Sequence, residues 1–181
     1  VKIAVTGGIA TGKSTVIDHL EQLGFRVASS DRVARELWSE PEVQQALVEL
    51  LGGDPVEDLR AAVRLRASES APFRRSLNRL LHPRIARRID AMEAQFVEVP
   101  LLIEAVRHPS FDSVWVVSCH PDTQLQRLFA RGLSPSEATR WLASQLPTEV
   151  KEAFADEIVR TDEPLPHVHA LLENLVSKAL K

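Results

Sequence analysis

The chain has 181 residues, 44% of them hydrophobic and 26% charged, with a formal net charge of −3. That balance fits one globular domain with a sizeable core, with room for an insertion but not for two full domains. No run of about twenty apolar residues is present to span a membrane, the lone Cys119 excludes an intrachain disulfide framework, and the mild acidity leaves no footprint for nucleic acid.

In chain order, residues 2–6 (KIAVT) form a short apolar run ending at a glycine pair, which predicts a buried strand. From Lys13 the period becomes helical, with Val16, Ile17, Leu20 and Leu23 on one face and Gly24 at the C-terminal cap position. Residues 25–28 predict a second strand, followed by the polar Ser29-Ser30-Asp31. A long helical stretch follows. Pro41 suits the first turn of one helix, which Gly52-Gly53 ends, and residues 56–67 carry another. Phe73, Leu77, Leu80 and Leu81 continue helical spacing to Pro83, where a fresh helix is expected to begin with Ile85, Ile89 and Met92. Residues 96–99 and 113–118 (SVWVVS) predict two more strands, the latter rich in β-branched and aromatic residues. Residues 121–131 and 134–145 predict two helices joined by a short glycine-containing link, 157–160 a fifth strand and 165–180 a closing helix.

Short unbroken apolar strands alternating with helices predict an α/β fold, a parallel sheet with helices on both faces. The helical stretch of residues 32–95 is too long for a plain crossover. It predicts a helical insertion over the C-terminal edge of the sheet, where open α/β folds bind ligands. Charge is unevenly spread there. From Glu36 to Asp58 it is almost all acidic, whereas Arg60, Arg64, Arg66, Arg74, Arg75, Arg79, Arg84, Arg87 and Arg88 are opposed only by Glu69. Two readings stand: a solvated helical face, or a surface that receives a phosphate-bearing substrate, since guanidinium forks match phosphate oxygens.

Residues 7–14 (Gly7-Gly8-Ile9-Ala10-Thr11-Gly12-Lys13-Ser14) satisfy G-x-x-x-x-G-K-[ST] in full. Glycines let the backbone curl so that successive N–H groups of Gly8, Ile9, Ala10, Thr11 and Gly12 point at a phosphate. The helix that starts at Lys13 adds free N–H groups and the positive end of its dipole. Lys13 is expected to reach the β- and γ-phosphates of ATP and Ser14 to ligate Mg²⁺, with Thr15 beside it. Such a pattern arises by accident in roughly one chain in a few hundred of this size. Its position between a predicted strand and a predicted helix is therefore what makes it a P-loop.

Asp31 lies just past the second predicted strand. It reads either as the N-cap of a helix over residues 32–38 or as the carboxylate that orients an acceptor hydroxyl and takes its proton. Arg127 and Arg131 are four apart on a predicted helix. That helix and the next form a hairpin suited to close over ATP, and a lid arginine would neutralise charge on the phosphoryl group in flight. A solvated helix arginine is the plainer reading, weaker for Arg131 because it sits at the hinge. His82 has no second His or Cys at zinc-ligand spacing, so a substrate hydrogen bond or a plain helix start remains for it.

Beyond the P-loop, TGGIATGKST (6–15), SSDRVARE (29–36), LLHPRI (80–85), VPLLIE (99–104) and QLQRLFARGLS (124–134), followed in order by Gln145, Lys151 and Ala155-Asp156, resemble the dephospho-CoA kinase family over nearly the whole chain. The pair LLHP and VPLLIE carries the resemblance most specifically. It implies a single P-loop kinase domain, 1–181, with a five-stranded parallel sheet, an acceptor-binding insertion (32–95) and a helical lid (120–150). It also implies ATP-dependent phosphorylation of the ribose 3′-hydroxyl of dephospho-CoA in the cytoplasm, by a monomer or weak homo-oligomer without nucleic-acid or membrane partners; the N-terminal residues show no signal-peptide pattern. By position, Asp31 becomes the base, Lys13 and Arg131 the residues on the phosphoryl group, and Arg35, His82, Pro100 and Leu101 acceptor-site residues. The arginine stretch then faces the acceptor's pyrophosphate.

The chain departs from the family pattern in places. Ala10 replaces the usual second P-loop glycine, which fits if its φ is negative. The lid turn Arg131-Gly132-Leu133 is one residue short, Leu59-Arg60 stands for the usual Asp-Arg, and Arg160-Thr161-Asp162 stands where an Asn-Gly pair normally lies near the adenine. Competing classes are another nucleotide or sugar-acid kinase, a motor or switch NTPase, and a nucleotide-binding regulator without turnover. The second is opposed by the lack of a terminal aspartate on strands three and four and of any N-K-x-D motif.

Overall fold

A computed structural model describes residues 1–105 and 108–179. It divides into two compact units, Val1–Ser29 with Ala94–Lys181, and Ser30–Glu93.

The first unit is built on five parallel strands: β1 (Ile3–Gly7), β2 (Val27–Ser29), β3 (Phe96–Glu98), β4 (Ser113–Ser118) and β5 (Glu157–Arg160), in the order β2-β3-β1-β4-β5. The register pairs Val5 with Glu98 on one side and with Trp115 on the other. Every residue of β1 is buried, as expected of the central strand of a sheet covered on both faces. Alternation sends Ile3, Val5, Phe96, Trp115, Val117 and Val159 to one face. There they pack with Val16, Ile17 and Leu20 of α1 (Lys13–Gln22) and Val168, Leu172 and Val176 of α9 (Leu165–Ala179). Phe96 meets Phe25 and Trp115 edge-on, with centroids 5.5 and 5.3 Å away. The predicted C-cap holds: the Gly24 and Phe25 N–H groups donate to the carbonyls of Glu21 and Leu20, with Gly24 at φ +88°.

After β4, α6 (Pro121–Ala130) and α7 (Pro135–Ala143) form a hairpin, and α8 (Thr148–Glu152) precedes β5. Ser134 caps α7 in a reciprocal box with Glu137. Leu128 of α6 and Ala138 of α7 pack on Ala10, with Ile9, Leu125, Leu133 and Leu142 around them, so this hairpin is seated on the loop after β1. The five predicted strands are all present within a residue or two. The short α8 and a 3-10 turn at His108–Ser110 had no sequence signal, and Leu180, the end of the predicted closing helix, lies outside the described residues.

The second unit is wholly helical: α2 (Ser30–Leu37), α3 (Pro41–Leu51), α4 (Leu59–Glu69) and α5 (Ala71–Ala91). Its buried apolar residues are Val33, Leu37, Val43, Leu47, Val63, Phe73, Leu81, Ile85 and Ile89. Pro41 occupies the first turn of α3, and α4 starts later than predicted because the Asp58 carboxylate accepts from the Ala61 N–H and caps it. One expectation fails. No fresh helix starts at Pro83; α5 runs through it for 21 residues. Buried Leu81, Ile85 and Ile89 hold the turns on either side of the proline, and the Arg84 guanidinium donates to the Leu80 carbonyl at 2.8 Å. Tertiary packing thus overrides the local cost of a proline in a helix. Among the described residues, no helix is long and apolar enough to cross a membrane.

Candidate active site

The glycine loop joins β1 to α1, and its tightness is steric. A Cβ on Gly7, at φ +152°, would lie 2.3 Å from the Val117 carbonyl oxygen, and one on Gly8 would lie 2.5 Å from the Thr148 hydroxyl. Gly12 stands at the N-cap of α1 in the left-handed region, φ +89°. Lys13 Nζ donates back across the loop to the carbonyls of Gly8 (2.7 Å) and Gly7 (3.2 Å), which holds its charge over the concavity. Ser14 and Thr15 follow in the first turn of α1, Ser14 exposed and Thr15 half-buried. Ala10 corrects an expectation: its φ is +58°, not negative. An L-residue there costs about 1–2 kcal/mol. Burial of its methyl against Leu128 and Ala138 offsets part of that.

The loop's other carbonyls are held from outside. Gln124 Nε2 donates to the Ile9 carbonyl at 2.8 Å and Arg127 Nη1 to the Ala10 carbonyl at 3.2 Å. The Thr161 hydroxyl donates to the Thr11 carbonyl at 2.5 Å. Arg127 also donates to the Thr161 carbonyl and hydroxyl, at 2.6 and 3.0 Å. Arg127 is therefore an inward-facing residue, while Arg131 is the exposed C-cap of α6. Next to this network burial pushes the Cys119 thiol above its ordinary range, against the pull of the Arg127 charge.

On the other side of β1, β3 ends at Glu98, whose carboxylate accepts from the Ser29 hydroxyl at 2.7 Å. A carboxylate thus closes the strand next to the P-loop strand, although no aspartate does. The 99–104 segment then turns. The Pro100 carbonyl accepts from the Thr6 hydroxyl (3.4 Å) and from Lys151 Nζ (3.1 Å). Lys151 is fully buried and pairs with Glu104 at 2.8 Å; the same Glu104 oxygen accepts from the Leu146 N–H. Burial raises the Glu104 carboxyl, but the Lys151 ammonium and the backbone donors outweigh it and hold the group below the usual carboxylate range. Pro100 is thereby fixed and half-buried, and Leu101 beside it is exposed. A cavity of about 480 Å³ opens beside the loop, lined by Gly8, Ile9, Gln124, Leu142, Gln145 and Thr148 among others.

The remaining predicted residues belong to the helical unit. Asp31 lies inside the first turn of α2 and does not cap it, because the helix starts at Ser30. Its backbone carbonyl accepts from Arg35 Nε at 3.3 Å. Arg35 lines a cavity of about 360 Å³ with Trp38, Arg60, Val63, Arg64, Ala67 and Leu77. Arg60 lies over the Trp38 ring at 5.9 Å, a cation–π contact that pairs charge with an apolar wall. His82 is exposed on α5 and does not line that cavity. Gln124, Thr161, Glu98 and the Glu104–Lys151 pair were not singled out from sequence as site partners. Gln124 and Arg127 are three apart on one helix, a spacing that offered a signal; the others are joined only by the fold.

A parallel sheet of this order, a glycine loop and lysine between β1 and α1, and a helical hairpin seated on the loop define a P-loop kinase. The model of the dephospho-CoA kinase family matches residues 1–167. The dephospho-CoA kinase of Streptococcus mutans is 34% identical over 171 residues, covering 87% of this chain and 86% of that protein. That of Corynebacterium efficiens is 34% identical over 194 residues, covering 99% and 97%. The structure of dephospho-CoA kinase from Campylobacter jejuni superposes with a TM-score of 0.73 at 25% identity, covering 98% of this chain and 96% of that one. The chain belongs to the dephospho-CoA kinase family.

Proposed function

We propose that this chain transfers the γ-phosphoryl group of ATP to the ribose 3′-hydroxyl of dephospho-CoA, giving coenzyme A and ADP, the last step of coenzyme A synthesis. Family membership over nearly the full chain is the observation that carries the reading. In the proposed step the acceptor 3′-oxygen forms a bond to the γ-phosphorus as the bond to the β,γ-bridging oxygen breaks. The hydroxyl proton passes to the Asp31 carboxylate, and ADP leaves. Such transfers need orientation more than basicity, so an ordinary carboxylate suffices. The N–H groups of residues 8–15 and the Lys13 ammonium hold the phosphates, and Arg131 neutralises charge from the lid. A Mg²⁺ ion arriving with the phosphates needs only one or two protein oxygens. The exposed Ser14 hydroxyl at the start of α1 suits that role, and the ion would supply charge neutralisation. Among the described residues no cluster of three or more acidic, His or Cys side chains builds a metal cage by itself, which favours an ion carried mainly by the nucleotide.

For the acceptor we assign the turn at Pro100 and Leu101 in the first unit; in the second, the exposed His82 offers a hydrogen bond, and the cavity ringed by Arg35, Arg60 and Arg64 offers positive charge suited to a pyrophosphate and an apolar wall. The same reading places the work in the cytoplasm, which the lone Cys119, unable to form an intrachain disulfide, suits. The test is ADP release from ATP and Mg²⁺ with dephospho-CoA, beside AMP, shikimate and gluconate. Turnover is expected with dephospho-CoA alone and is lost in Lys13→Ala and Asp31→Asn. Turnover with another acceptor would overturn the substrate, and silence with all four would overturn the reaction.

A further inference from the structure

A trans peptide carries its N–H and C=O on opposite sides, so a loop that aims its N–H groups inward must send its carbonyls outward. Each buried carbonyl then needs a donor. Here every carbonyl from residue 7 to residue 12 has one. Gly7 and Gly8 accept from Lys13, and Gly8 also from the Thr11 hydroxyl. Gly12 accepts from the Val16 N–H. The middle three, Ile9, Ala10 and Thr11, accept from side chains outside the motif: Gln124, Arg127 and Thr161 in turn. Gln124 and Thr161 are 6% and 8% exposed, so water does not compete freely for these carbonyls. The fit is close, since a Cβ on Gly8 would come within 2.8 Å of Gln124 Nε2 and one on Gly12 within 3.1 Å of the Thr161 hydroxyl. The strained φ of Ala10 lies at the centre of the set, with its own carbonyl held by Arg127.

We propose that Gln124, Arg127 and Thr161 are positioning residues for phosphate binding, a rack that fixes three successive peptide planes so that their N–H groups stay aimed into the cradle. The proposal rests on the kinase reading for its substrate but not for its test. Thr161 lies where relatives are expected to carry residues near the nucleobase, and the rack assigns it to the phosphates instead.

The experiment compares wild type with Thr161→Val, which keeps the shape and removes the donor, Thr161→Ser, which keeps the hydroxyl, and Gln124→Met. KM for ATP and for dephospho-CoA is measured alongside the dissociation constants, by titration calorimetry, of inorganic tripolyphosphate, which has no base, and adenosine, which has no phosphate. Thr161→Val and Gln124→Met should each raise the KM for ATP and the tripolyphosphate constant about tenfold, the effect of one lost hydrogen bond and one orphaned carbonyl. KM for dephospho-CoA and the adenosine constant should move less than about twofold, and Thr161→Ser should restore binding to within about threefold of wild type. Unchanged tripolyphosphate binding in Thr161→Val, weakening of adenosine to the same degree, or failure of Thr161→Ser to rescue would each overturn the proposal, as would a wild-type protein that does not bind tripolyphosphate. A wild type that binds tripolyphosphate but leaves dephospho-CoA unphosphorylated would overturn the proposed reaction instead, and the ratio between variants would still decide the rack.

Discussion

The Lys151–Glu104 pair offers the sharpest test of the energetics. Lys151 is 0% exposed and Glu104 22%, with 2.8 Å between ammonium and carboxylate. Lys151→Met removes a buried cation and leaves its partner anion desolvated, and breaking such pairs costs about 3–5 kcal/mol. Glu104 retains some solvent and the Leu146 N–H, so the lower end, about 3 kcal/mol, is expected. The Pro100 carbonyl also loses a donor, about 1 kcal/mol of that total. Adding Glu104→Gln removes the stranded charge but keeps an acceptor for Leu146, so the double variant should recover about half the loss. Urea unfolding measures this, as a fall in midpoint with little change in slope. The pH dependence supplies a second check. In the wild type the Glu104 carboxyl is held below its unfolded value, so its contribution is full above the unfolded pKa and is lost as pH falls through the depressed folded one. Without Lys151 the ammonium that favours the charged carboxylate is gone while its burial cost remains, so that cost is largest at neutral pH and fades on acidification. The deficit of Lys151→Met should therefore narrow below neutrality. A loss under about 1 kcal/mol, or a deficit that widens in acid, would refute the reasoning.

Three other outcomes are expected. Gly7→Ala places a methyl 2.3 Å from a backbone carbonyl at a φ that side chains avoid. It should lower stability by at least about 2 kcal/mol and abolish nucleotide binding, read by thermal unfolding with and without ATP. Pro83→Ala restores a helix N–H and removes the ring's clash with the preceding turn, together about 3 kcal/mol, and loosens the unfolded chain by up to about 1, so a net gain of about 2 kcal/mol should appear in urea unfolding. Cys119, 3% exposed with its thiol pushed up by burial, should resist iodoacetamide in the native protein and react promptly once urea unfolds it.

Local grammar carried much of the architecture. Gly24 closes α1 through two capping bonds, Pro41 opens α3, and the apolar run SVWVVS coincides with β4 from end to end. Each of these is decided by residues within a turn or a strand of one another. Pro83 misled for the complementary reason: whether a proline stops a helix depends on the burial of Leu81, Ile85 and Ile89 in other elements, which no local pattern states. Ala10 is similar, since its left-handed backbone runs against alanine's own preference and is held by Arg127 and by packing on Leu128 and Ala138. Glu104 and Lys151 were each in a recognised segment, but nothing in their separation marks them as a buried pair.

The P-loop shows most clearly why a motif is half of a site. Residues 7–14 specify the inner side of the cradle, because glycine and the helix start are enough to turn N–H groups inward. The outer side comes from strand order. With β4 beside β1 and β5 beside β4, all parallel, the C-terminal ends of these strands lie along one edge. The helix after β4 and the residue after β5 therefore arrive at the loop after β1, bringing Gln124 and Arg127 with one and Thr161 with the other. Carbonyls that water would solvate in an isolated P-loop peptide acquire fixed protein donors when the sheet has assembled, so in the proposed rack the cradle's order depends on the sheet as well as on the motif. On the proposed rack, sequence changes at the end of β5, far from the glycines in sequence but against them in space, retune phosphate affinity without touching the signature.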